Sequence, residues 1–429
     1  MKIKTMRRSY EEVMSLPRPK HKKPWKPTLL MGTVMRLASA PDLWATHFTY
    51  TRDKKSEPKE PCLILMNHSS FIDLKMATAI LYPKPFGIVC TTDGMVGKGL
   101  LMRSLGCIPT QKFVTDLNLI RDIKYMLKEK KTSVLMYPEA GYSFDGRATT
   151  MPTGFGGLLK MLNVPVLMIT TRGAIARDPL YNGLQNRKVK VSAEVTTLLT
   201  REQVETLSAD ELDGAVKNAF AFDNLKWQYD TGLRITEGFR ADGLHRILYK
   251  CPACKAEGDM EGKGTKLTCH ACGKSWTLTE LGRMEADGGD VTEYPHIPDW
   301  YDWERAEVKK EIDGGAYALD TPVEIGLMVD YKGLYMVGDG RLTHTAEGFV
   351  LDGCEGKLHY EQKPRASHTL NSDFYWYCIG DVIGIGNRDC LYYCFPKPQN
   401  GKIPPVAKAR LAAEELYKLA MENRRRPRG

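Results

Sequence analysis

The sequence predicts an α/β protein with a mixed or largely parallel sheet and helices on both faces, followed by a zinc ribbon and a small β-rich region capped by a helix. Three observations carry this expectation. Short continuous apolar runs at 62–66, 86–90, 133–137 and 164–169 alternate with amphipathic stretches of helix length, the pattern of strands buried on both faces between crossover helices. Polar residues appear abruptly at the carboxyl ends of two runs, at 67–73 and 138–143, where open α/β sheets keep their ligand crevice. Two C-x-x-C pairs, Cys251/Cys254 and Cys269/Cys272, are separated by fourteen residues, a spacing that suits tetrahedral zinc.

The chain has 429 residues, 42% of them apolar and 26% charged, which is globular composition spread over more than one core. The expected divisions are a basic arm at 1–28, an α/β domain at 29–240 that opens with an interfacial helix, a zinc ribbon at 241–284, a linker and helix at 285–320, and a β-rich domain with a terminal helix at 321–429. No run approaches the roughly 18 apolar residues of a membrane span. The basic start leads into polar, Pro-rich sequence with no signal-peptide pattern, so a cytoplasmic protein is expected. Seven of the eleven cysteines lack ligand spacing, which suits a reducing compartment. Cys62, Cys90 and Cys107 read as small buried hydrophobes, and Cys354, Cys378, Cys390 and Cys394 are too irregular for a second metal site.

The net charge of +9 is uneven. Residues 1–28 hold nine Lys/Arg against Glu11 and Glu12, and Arg424, Arg425, Arg426 and Arg428 add a second basic cluster. The apolar stretch 29–40, then Leu43, Trp44 and Phe48, follows the arm. An apolar helix too short to span, with basic flanks and a Trp, is expected to lie on an anionic membrane surface; the other reading is a solvated arm before an ordinary core helix. Nucleic acid is not expected, because aromatic and basic residues are not interleaved.

In chain order, the strand at 62–66 leads to a helix over 74–81, stopped by Pro83 and Pro85. A strand at 86–90, a short helix from Gly99 and a strand ending at Lys112 follow, then a helix over 116–130. The strand at 133–137, a helix over 154–162 and the strand at 164–169 complete the alternation. A Gly/Asp-rich linker is expected over 285–293, then an aromatic, proline-broken stretch and a helix to about Ile312. Strands are expected at 323–330, 348–351, 357–360, 375–379 and 390–395 before a terminal helix over 406–422, an arrangement that resembles a pleckstrin-homology-type barrel. Its role, whether binding lipid or protein or packing on the ribbon, is left open.

His68 stands at the end of the first strand with Asp73 five residues on. Five residues do not share one helix face, so the two side chains meet only across a strand-to-helix turn. There Asp73 orients one ring nitrogen and leaves the other as a base. Equally, Ser70 and Asp73 fit a capping box with His68 merely adjacent.

Four blocks in order resemble the glycerolipid acyltransferase family, of the lysophosphatidic acid (1-acylglycerol-3-phosphate) acyltransferase type. Asn67-His68-Ser69-Ser70-Phe71-Ile72-Asp73 is similar to its His-x4-Asp motif. Gly106 to Lys112 is similar to a second block that usually ends in Arg. Tyr137-Pro138-Glu139-Ala140-Gly141-Tyr142-Ser143 is similar to Phe-Pro-Glu-Gly-Thr-Arg-Ser, and Val164-Pro165-Val166 closes the set. The resemblance covers residues 28 to 240. It implies transfer of a fatty acyl group from acyl-CoA or acyl carrier protein to a lysophospholipid hydroxyl, in phospholipid biosynthesis at a membrane surface. His68 is then the base, Asp73 its orienter, Lys112 a phosphate contact, and Glu139 and Ser143 acceptor-side or structural residues. The departures are specific. Tyr142 replaces the phosphate-contacting Arg, Lys112 lacks the bidentate fork of Arg, and Arg147 is the nearby substitute. No Gly-x-Ser-x-Gly elbow marks Ser69 or Ser143 as a nucleophile. The alternative is a catalytically silent lipid- or protein-binding member of the fold.

Cys251, Cys254, Cys269 and Cys272 are expected to hold a structural zinc, with iron the chemical alternative and His270 spare. The ribbon at 250–281 carries five Lys against four acids, too balanced for a nucleic-acid reader.

Overall fold

The computed structural model describes residues 3–55, 57–112, 116–399, 402 and 405–425. Lys2, Arg426 and Arg428 of the expected basic clusters lie outside these.

A seven-stranded sheet positions the site. Its order is Thr49–Arg52, Ser192–Leu199, Val166–Arg172, Leu63–Met66, Ser133–Met136, Phe86–Thr91 and Cys107–Thr110. Neighbours run parallel except Val166–Arg172 with Ser192–Leu199, so the sheet is mixed. Leu63–Met66 is central and wholly buried. Ile64 and Met66 pack into one apolar layer with the helix Ile72–Leu81, and Leu63 and Leu65 into the layer on the other face with the helices Phe155–Leu162 and Ala209–Ala219. Those last two helices touch so closely that a Cβ on Gly156 would lie 2.0 Å from the Ala209 carbonyl oxygen, so only glycine fits there.

The expected strands and helices of this part are present, with the first helix starting at Ile72 rather than 74. The helix Leu29–Ala45 packs beside Ile72–Leu81 and turns Leu29, Leu30, Val34, Leu37 and Trp44 outward. No helix among the described residues is long and apolar enough to cross a membrane.

The N-terminal segment is not a free arm. Thr5–Arg7 adds a parallel strand to Leu334–Thr345, and Ser9 and Glu12 form a capping box on the helix Tyr10–Met14. Further on, Arg103 donates to the carbonyls of Lys22 and Lys23 and lies 4.8 Å from the Trp25 ring, and His21 pairs with Asp122 at 3.0 Å. The segment therefore straps the C-terminal sheet to the seven-stranded one.

The cysteine region forms a four-stranded antiparallel sheet, ordered Met284–Ala286, Ser275–Leu278, Lys266–Cys269 and Met260–Lys263. It takes in the start of the stretch expected to be a linker. Pro298 is the second residue of the helix Ile297–Asp313, in the first turn, where its missing N–H has no intrahelical partner to lose. The C-terminal antiparallel sheet runs Leu358–Gln362, Gly348–Gly353, Leu334–Thr345, Leu319–Met328, Leu391–Pro396, Gly380–Gly386 and Asn371–Trp376. It curls until the Gly386 N–H donates to the Gln362 side chain at 2.9 Å, and the terminal helix Val406–Arg425 packs on it. The strand expected at 375–379 is instead a hairpin turn after Trp376. Tyr375, Tyr377 and Cys378 take left-handed backbone with φ of 50°, 47° and 64°, which ends regular pairing.

Candidate active site

The strand Leu63–Met66 delivers Asn67 and His68 to the sheet's carboxyl edge. Asn67 is fixed first: its side-chain oxygen accepts the Thr171 N–H at 2.7 Å and its amide donates to the Thr171 carbonyl at 3.2 Å. The chain then turns into the helix Ile72–Leu81. Asp73, with no exposed surface, puts one carboxylate oxygen against the Ser69 N–H (2.7 Å), the Ser70 N–H (3.0 Å) and His68 Nδ1 (3.0 Å). That carboxylate supplies one half of the expected capping box, accepting the Ser70 N–H, and also contacts the imidazole; the other half is not formed, because Ser70 Oγ accepts the Ile72 N–H at 3.3 Å and the helix begins after Phe71 with no side-chain cap. A carboxylate oxygen only accepts, so in this contact Nδ1 is the donor and Nε2 keeps its lone pair. The His68 side chain is 21% exposed, so the ring is open to a reactant.

The third block closes over this turn. The Ser143 N–H donates to the His68 carbonyl at 2.9 Å. Buried Glu139 accepts the His68 N–H at 2.9 Å and the Thr149 N–H at 3.0 Å. Burial lifts the Glu139 carboxyl to about 7 against the pull of those two N–H groups. Ala140 bends the block with φ of 54°, the left-handed region that non-glycine residues rarely adopt. The bend carries Tyr137 and Tyr142 to the imidazole, with ring centroids 4.0 and 4.2 Å from it. Phe71 stands at the rim, 49% exposed and 5.8 Å from Tyr142.

A second carboxylate lies beneath. Ser70 donates its hydroxyl to buried Asp178, which also pairs with Arg177 at 3.1 Å. Burial raises Asp178 to about 6; the Ser70 and Arg177 contacts hold it down and the Asp73 charge pushes it up. Arg177 and Lys75 both pair with Asp42 on the helix Leu29–Ala45, so the site is tied directly to the outward apolar helix.

The remaining expected residues divide. Lys112 follows Cys107–Thr110, three strands from Leu63–Met66, which is about 14 Å at sheet spacing. Its charge reaches Asp373 of the C-terminal sheet, whose carboxyl burial pushes up to about 7 while Lys112 pulls it down. Ser143 Oγ donates to the Arg147 carbonyl and accepts the Gly146 N–H, holding a turn. Arg147 does not replace the missing cation: its guanidinium is engaged by Asp145 and Asp302, each at 2.8 Å, and by the Pro298 carbonyl. The sequence did not single out Asp178, Asp373, or Tyr137 and Tyr142 as rings on His68. Both tyrosines lie within the third block, but their approach depends on the bend at Ala140.

The four cysteines expected to bind metal converge, with sulfurs within 4.8 Å of one another. Cys251 and Cys272 are 3.8 Å apart, and Cys254 and Cys269 3.7 Å. A tetrahedron with Zn–S of about 2.3 Å has S–S edges of about 3.8 Å, so the donor set fits zinc. Four thiolates leave no open position, which suits a structural ion. His270 is exposed and pairs with Glu261 at 3.2 Å, apart from the cluster.

Residues 47–172 match the family model Acyltransferase. No curated protein matches the chain. Among solved structures, the 1-acyl-sn-glycerophosphate (LPA) acyltransferase PlsC from Thermotoga maritima is similar at 13% identity and a TM-score of 0.36, over 44% of this chain and 76% of that one.

Proposed function

Since residues 47–172 form a domain of the Acyltransferase family, we propose that the protein moves a fatty acyl group from acyl-CoA or acyl carrier protein to the hydroxyl of 1-acyl-glycerol-3-phosphate or a related lysolipid. The observation that carries this is the His68 Nδ1–Asp73 contact at 3.0 Å on a partly open imidazole. Nε2 takes the proton of the acceptor hydroxyl as its oxygen attacks the thioester carbonyl. The C–S bond then breaks, the thiolate departs, and the imidazolium, held by Asp73, returns the proton to sulfur. Thiolate leaves readily, so no strong acid is needed. Glu139 acts by fixing the His68 peptide. Lys112 is the phosphate contact in this reading, since Arg147 is engaged elsewhere.

The reaction belongs at the cytoplasmic face of a membrane. Leu29, Leu30, Val34, Leu37 and Trp44 turn outward on the helix Leu29–Ala45, which Asp42 ties to Lys75 and Arg177 beside the site, and this exposed apolar face fits interfacial docking. The four cysteines hold a structural zinc. The experiment is acyl transfer by purified protein from labelled acyl-CoA or acyl carrier protein to a lysolipid panel. Product formation supports the reading, and lipid binding without turnover favours a silent member of the fold.

A further inference from the structure

Arg410, on the terminal helix Val406–Arg425, is 3% exposed and 268 residues from the loop it touches. Its Nε donates to Glu414 at 3.3 Å. Glu414 is also paired with partly exposed Arg305 at 2.7 Å and accepts the Thr369 hydroxyl at 2.6 Å, so one carboxylate serves two guanidinium groups. The rest of Arg410 faces the third block: one terminal nitrogen donates to the Tyr142 carbonyl at 3.3 Å, and the guanidinium carbon lies 4.0 Å from the Phe144 ring centroid. Phe144 in turn packs on Phe374 of the C-terminal sheet at 4.7 Å. Between these two contacts, the Ser143 N–H holds the His68 carbonyl. Three consecutive residues are therefore pinned, two by Arg410 and one by the His68 peptide, and the first of them carries the ring 4.2 Å from the imidazole. The same helix is tied to the acyltransferase region a second time, where Tyr417 and Thr153 meet at 3.0 Å.

We propose that Arg410 is a positioning residue for the acyl-transfer centre: it holds the loop at 142–144 so that the Tyr142 ring lies against His68, making the C-terminal region part of the centre. This rests on the acyltransferase reading for its kinetic consequence, but the contact itself can be tested without turnover. A buried cation satisfied by both a backbone carbonyl and an aromatic face fixes a loop more firmly than apolar packing does, and loss of such placement by about 1 Å costs up to about 100-fold in rate.

The test uses the full-length protein with Arg410→Gln and Arg410→Lys, the second keeping the charge opposite Glu414 while losing the fork that also reaches Tyr142. Reaction of His68 with diethyl pyrocarbonate, followed by mass spectrometry, reads the cover over the imidazole. Folded variants should label several-fold faster, with kcat reduced 10- to 100-fold and KM little changed. In a Tyr142→Ala background the Arg410 change should add almost nothing to labelling or kcat, because both act by taking the same ring away from His68. Unchanged His68 labelling in folded Arg410→Lys, or additive effects in the double variant, would overturn the positioning role even with wild-type turnover intact. Faster labelling in a protein with no wild-type turnover would uphold the contact and reject the acyltransferase reading.

Discussion

Asp73→Asn separates two roles that one carboxylate performs. Its oxygen now accepts three hydrogen bonds, from Ser69 N–H, Ser70 N–H and His68 Nδ1, and its other oxygen is buried without a partner. An amide oxygen in the same place keeps the three bonds as neutral ones, each weaker by about 1 kcal/mol. The amide nitrogen then occupies the partnerless side, leaving a buried donor unsatisfied at about 1–3 kcal/mol. Removing a desolvated charge offsets part of this, so the net loss of stability is about 2–4 kcal/mol. The chemistry loses the charge that favours the imidazolium, worth about 1.5–3 kcal/mol, or roughly 10- to 100-fold in kcat. Thermal unfolding and kcat on the folded fraction measure the two separately. A lowered unfolding temperature with unchanged kcat would show that Asp73 only holds the strand-to-helix turn and would refute its role as orienter.

Three further outcomes follow from the same geometry. Metal analysis should find one zinc per chain, Cys251→Ser should lower that content and the unfolding temperature together, and His270→Ala should change neither; a wild type that melts identically before and after chelation contradicts the structural site. Leu30→Glu with Leu37→Glu should weaken sedimentation with anionic vesicles at least tenfold, since each buried Leu contributes about 1.5–3 kcal/mol; equal binding removes the docking face from the account. Burial raises the folded Glu139 carboxyl from 4.5 to about 7, so the folded state holds the extra proton: the stability is full below about pH 4.5 and is lost as pH rises through about 7, by about 3 kcal/mol at 1.4 per unit. Glu139→Gln should therefore show a smaller fall in unfolding temperature between pH 5 and 7.5 than the wild type, and parallel curves would disprove the assignment.

How much was legible followed the range of the interaction. His68 and Asp73 meet within five residues, so the motif and its strand could be read locally, and the cysteine spacing carried its own geometry. The strand Leu334–Thr345 was missed because its Val337-Gly338-Asp339-Gly340 stretch reads as a turn. In the fold Gly340 serves close packing, since a Cβ there would lie 2.5 Å from both the Asp352 carbonyl oxygen and Ile325 Cδ1. Gly380–Gly386 was hidden by the same alternation of Gly with Ile and Val. The first 28 residues read as a basic arm, with no sign of a strand, because the partners of Thr5–Arg7 lie more than 300 residues away. Asp178 and Arg410 carry no local signal at all; each matters only through what tertiary packing sets beside it.

The central claim is that the His68 imidazole removes the acceptor's proton. It is tested most directly by acyl transfer to lysolipids on vesicles, comparing purified wild type with His68→Ala at equal folded concentration. The account predicts diacyl product from the wild type and a rate lower by about 100- to 10,000-fold in the variant, with unfolding temperature retained. Equal rates in the two proteins would place the chemistry elsewhere and contradict it.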